Sequence, residues 1–106
     1  MNKLSSLPTY NITLGGMVYE AKIVKEIYQA NNATALYLYT PTGDDIVAVA
    51  TTCLPDEKLE ADETFLKTWA ENEGIMEQLI ALGVISEPLT YAQAGYVLVP
   101  KVKVLI

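Results

Sequence analysis

The sequence predicts an α+β fold: a twisted antiparallel sheet of about five to six strands, an N-terminal meander plus a C-terminal strand, with one helix packed on a face. Three observations predict it. Alternating apolar residues run through both ends of the chain, Ile75 to Leu82 carry a helical period, and 51% of the 106 residues are apolar. That length and composition suit a single domain over residues 1–106 with one core, and they argue against disorder.

The meander is read first. Residues 9–14 and 17–21 flank Gly15-Gly16, a pair able to supply the positive φ of a two-residue hairpin turn. The second strand continues to about Tyr28, with an imperfect alternation that implies a bulge or bend near Val24. Asn31-Asn32 is a turn, residues 33–40 form a strand, and Pro41-Thr42-Gly43-Asp44 turn again. Residues 46–53 are apolar enough for a central strand. After Leu54-Pro55 comes an acidic loop, then a short extended piece at 64–67.

The helix is expected over about 69–82. Ile75, Met76, Leu79, Ile80 and Leu82 recur at three- and four-residue spacings, which places them on one face. Gly83 suits the left-handed residue that ends a helix, with Val84 folding back on Leu79 as in a Schellman motif. Two starts are open. Thr68 with Glu71 matches a capping box and leaves Gly74 inside the helix, whereas Asn72 could itself be the N-cap. A loop containing Pro88 follows, then a last strand over 96–105. Pro100 cannot donate to a ladder, which implies a bulge or an edge position, and an apolar edge strand there invites a homodimer.

The missing residue types exclude several functions. The chain has no His and no Arg, so no Ser-His-Asp or Cys-His nucleophile system can be assembled from it, and the commonest metal ligand is lacking. Seven lysines against thirteen acids leave no basic footprint for nucleic acid. No apolar run approaches the ~20 residues of a membrane span, and the N-terminal residues lack a signal-peptide core. Cys53 is the single cysteine, read as a buried structural thiol in a reducing, cytoplasmic setting. Without a secretion signal the sequons at Asn11 and Asn32 carry no weight. Gly43-Asp44-Asp45 is similar to the metal-binding turn of viral RNA polymerases, but the chain is too short for that fold, and an acidic hairpin turn is the simpler reading. No cofactor or metal pattern is present.

Charge is concentrated. Residues 56–77 hold eight acids and two lysines, a balance equal to the whole net charge of −6. A solvated face that maintains solubility is the plain explanation. The sharper one is a surface that meets a basic protein partner. Within it, Trp69, Glu71, Asn72, Glu73 and Gly74 are the candidate partner-binding residues: an aromatic anchor, two acids, an amide with donor and acceptor, and a glycine permitting close backbone approach.

Residues 54–85 also resemble a family of small uncharacterised proteins of gut-type bacteria and their mobile elements or phages. The shared pattern is a strand ending in Leu-Pro, an acidic stretch, Trp or Tyr, Glu-Asn-Glu-Gly, a short apolar helix, and Gly before Ile or Val; Glu71-Asn72-Glu73-Gly74 is its most specific part. The resemblance implies a small intracellular accessory protein with no catalytic residue. The expectation is therefore a non-enzymatic binding protein acting through residues 56–77. The alternative is a small-ligand or divalent-cation module using the same carboxylates; a paired-carboxylate enzyme is a third reading.

Overall fold

In the computed structural model, which describes residues 3–106, Gly15 and Gly16 take φ of 59° and 81°. Those angles are open to glycine at little cost, and they close the predicted two-residue hairpin between strands β1 (Tyr10–Leu14) and β2 (Met17–Ile27). Strands β3 (Thr34–Tyr39) and β4 (Ile46–Val49) complete an antiparallel meander, β1-β2-β3-β4. The bulge expected near Val24 is absent. The register of β2 against β3 is continuous from Lys22 to Ile27, and the one irregularity lies between Leu38 and Tyr39. Alternation in β2 is imperfect for another reason: the strand is longer than the core beneath it. Ala21 and Ile23 are buried, while Met17 and Tyr19 on the same side run past the core's end.

The strand expected over 46–53 is split at Ala50. Its amide donates to the Leu36 carbonyl of the first sheet, and its carbonyl accepts from Lys67 beside the second. The chain thus changes sheets at one buried residue, and the next strand, β5 (Thr51–Thr52), pairs with β6 (Glu63–Leu66). The fold is α+β as predicted, with eight strands in two four-stranded sheets among the described residues. The second sheet runs β5-β6-β8-β7, where β7 is Thr90–Ala94 and β8 is Val97–Lys103.

That order corrects the reading of the C-terminal strand. β8 lies between β6 and β7, but its first residues, up to Pro100, pair with β7 alone and β6 pairs only beyond them; the outer strands of this sheet are β5 and β7, the latter a strand the sequence reading left as loop. Pro100 is tolerated because the β6 ladder engages only Lys101 to Lys103, leaving no β6 partner opposite the proline.

The helix is also shorter than predicted. α1 spans Ile75–Ala81, preceded by a 3-10 turn at Ala70–Asn72. Ala70 at φ 57° and Gly74 at φ 86° both stand in the left-handed region, so helix cannot run through them; Gly74 is the N-cap, and neither Thr68 nor Asn72 caps α1. The end matches expectation: Val84 donates to the Leu79 carbonyl and Gly83 to that of Ile80, a Schellman pair. Ile75 and Leu79 join Ile12, Leu36, Leu38 and Leu66 in the main core, with α1 lying along β1. A smaller cluster of Phe65, Ala92 and Val99 sits apart, against Leu54, Leu59 and Trp69.

Candidate functional site

The turn that leads into α1 faces the β1–β2 hairpin, and a groove of about 500 Å³ runs between them. One wall is Thr13, Gly15 and Gly16; the other is Ala70, Glu71, Glu73, Gly74 and Gln78. The walls are tied together by the Gln78 side chain. Its Oε1 accepts from the Thr13 amide at 2.7 Å, and its Nε2 donates to the Thr13 carbonyl at 2.8 Å and to the Gly74 carbonyl at 3.0 Å. A second hollow of about 580 Å³ continues past Gly15 and Glu71, which line both. It is mostly apolar, built by Leu14, Met17, Tyr19, Ile46 and Val47, with Asp45 at its margin.

The five predicted site residues do not share one surface. Glu71, Glu73 and Gly74 are exposed and line the groove. Asn72, expected on the partner surface, is fully buried. Its Nδ2 donates to the carbonyls of Val49 at 2.7 Å and Lys67 at 3.0 Å, so it fastens the turn to β4 and to the end of β6. Two carbonyl acceptors fix the orientation of that amide, and Oδ1 has no hydrogen-bond partner among the described residues. Trp69 is half-buried against the cluster around Phe65 and does not line the groove. Both side chains hold the loop in place; the two glutamates and Gly74 are what it displays.

Electrostatics follow from this placement. The Lys67 ammonium pairs with Glu71 one helical turn away in sequence, and its hydrogen bond holds the Glu71 carboxyl below the usual glutamate range. Seven of the eight acids in residues 56–77 are exposed. The eighth, Glu63, is half-buried, with its Oε1 3.6 Å from the Lys101 ammonium and accepting from the Glu60 amide at 2.9 Å. The acidic loop is not free of the fold, because Leu54 and Leu59 pack on the Phe65 cluster and Glu57 donates to the Leu54 carbonyl. Among the described residues, no three acidic or cysteine side chains converge as metal ligands would. Cys53 is half-buried, its Sγ 3.6 Å from Asn31 Oδ1.

Sequence reasoning missed Thr13, Ile46 and Gln78, placed Asp45 only in an acidic hairpin turn, and read Met17 only as a strand residue. One signal was present: Met17 and Tyr19 fall on the same side of β2 as Ala21 and Ile23, but next to a turn, where a core is running out. No helix of the described residues is long and apolar enough to cross a membrane. No family model matches the chain, and no curated protein or solved structure matches it significantly.

Proposed function

We propose that this chain is a small acidic accessory protein that acts by binding another protein, one with a basic surface, through residues 56–77. The observation that carries the reading is the placement of Glu71 and Glu73. Both are exposed on the wall of a groove, at one end of the segment that holds the whole net charge. Clustered charge of one sign steers an oppositely charged partner and fixes its register more than it adds raw affinity. The resemblance of residues 54–85 to a family of small uncharacterised proteins of gut-type bacteria and their mobile elements or phages implies an accessory role of this kind. The single cysteine favours a cytoplasmic setting for it. A divalent-cation site has less support, because the carboxylates are spread along the surface rather than gathered. The proposal assigns no catalytic residue.

Affinity capture from a bacterial lysate tests it, comparing wild type with the Glu71→Lys/Glu73→Lys variant. A stoichiometric partner that the variant loses, while its circular dichroism and melting stay unchanged, is the expected result. Equal capture by both proteins would remove these residues from the interface.

A further inference from the structure

We infer that the apolar hollow beside the acidic groove is an anchor site for a peptide segment of a partner, one large apolar side chain with lysine or arginine beside it. The inference rests on the protein-binding reading above and specifies its ligand. Met17 is 61% exposed and Ile46 52%, yet both border Leu14 and Val47, which belong to or pack on the main core. The hollow is therefore the core's own end, open to solvent. Methionine adapts its unbranched chain to varied apolar shapes, which suits such a floor to a seated side chain. An exposed apolar concavity with polar margins is the usual form of an anchor pocket.

Charge selects the occupant. Asp45 and Glu71 stand at the margin of the hollow, and Glu73 stands in the adjoining groove. The cation close by, Lys67, is already paired with Glu71. Lys22 and Lys25 are turned to other work, donating to the carbonyls of Leu4 and Ile106. An acidic peptide would meet repulsion here, and a wholly apolar one would leave Asp45 and Glu73, for which no ion pair is seen among the described residues, without a counter-charge. A segment carrying both features satisfies floor and margin together, and its binding weakens as salt is raised.

A phage-displayed library of random peptides, selected on the full chain, is the probe. Enriched sequences are expected to hold a Leu, Ile, Phe, Met or Trp beside Lys or Arg. A synthetic copy of the winner should shift the methyl resonance of Met17 and leave that of Met76 in place. Met17→Asp and Ile46→Thr should each weaken it by about tenfold or more, equivalent to ~1.4 kcal/mol, with melting unchanged because both residues are exposed. Failure to enrich any peptide, enrichment of acidic or uncharged sequences, or shifts confined to the outer face around Tyr91 and Leu98 would each overturn the inference. A lysate partner lost on reversing Glu71 and Glu73 but retained by Met17→Asp would overturn it too, leaving the broader protein-binding reading intact.

Discussion

Gln78 on α1 hydrogen-bonds both backbone groups of Thr13 on β1, the amide at 2.7 Å and the carbonyl at 2.8 Å. β1 is the outer strand of its sheet, and Thr13 pairs with Val18 on the inner side. One primary amide thus takes the place of a missing strand at that position. It blunts an edge that would otherwise offer a paired donor and acceptor to another chain. It also sets the spacing between hairpin and helix, and so the width of the groove.

Replacing Gln78 with Ala should lower stability by about 1–3 kcal/mol, the net worth of three solvent-accessible hydrogen bonds, two to Thr13 and one to the Gly74 carbonyl. Chemical denaturation would read the loss. Gln78→Glu keeps the acceptor for the Thr13 amide but, when ionised, has no donor for the carbonyl, so it should fall between wild type and Gln78→Ala at neutral pH. A Gln78→Ala protein as stable as wild type would show that the amide bridge contributes nothing.

Asn72→Ala should be among the most destabilising changes in residues 69–74. It strips the Nδ2 donor from two carbonyls in a buried setting, at a cost of about 2–4 kcal/mol. Ala70→Gly should act in the opposite direction, raising stability by about 1 kcal/mol, because alanine at φ 57° carries a steric penalty that glycine avoids. Urea unfolding of the two variants should move the midpoint to opposite sides of wild type.

The Glu71 carboxyl should titrate below the usual glutamate range, chiefly because Lys67 hydrogen-bonds it. A depressed folded pKa gives a stabilising contribution that is present above the unfolded value, ~4.3, and lost as pH falls through the folded one. Glu71 is fully exposed to water, so the effect on stability is small and the titration itself is the better readout. Carbon-detected NMR should place its midpoint higher in Lys67→Met than in wild type.

Tyr28 shows the opposite sign. Burial raises its phenol above the ordinary tyrosine value, partly offset by the hydrogen bond between its hydroxyl and Thr51 Oγ1. A raised folded pKa contributes stability that is full below the unfolded value, ~10, and is lost as pH rises through the folded one. Alkaline unfolding followed by circular dichroism should therefore begin at higher pH in Tyr28→Phe, which has no proton to lose.

How far the sequence could be read depended on how local each decision was. The Gly15-Gly16 hairpin and the Gly83 helix end are settled within a few residues, and both stand in the structure as predicted. β7 was missed because Thr90–Ala94 is short, mixed in polarity and close to Pro88. Its hairpin partner β8 is an edge at Pro100, as the proline implies, and gains β6 only beyond it, a change of partner that no local pattern shows. The site divides in the same way. The exposure of Glu71 and Glu73 is legible from a local run of charge, whereas the burial of Asn72 is not, because its acceptors, Val49 and Lys67, are set by tertiary packing. Met17, Asp45 and Ile46 come to the Glu71 turn from distant parts of the chain, and no local pattern joins them.

The insertion of β8 between β6 and β7 bears on the order in which the chain can assemble. Every pairing in the first sheet joins strands adjacent in sequence, so that meander can close while later residues are still being added. β6 has only the two-residue β5 as a neighbour until β8 arrives, and β7 has none. The two sheets therefore differ in what their pairing requires: the first needs only neighbours in sequence, the second needs its last strand to join the others.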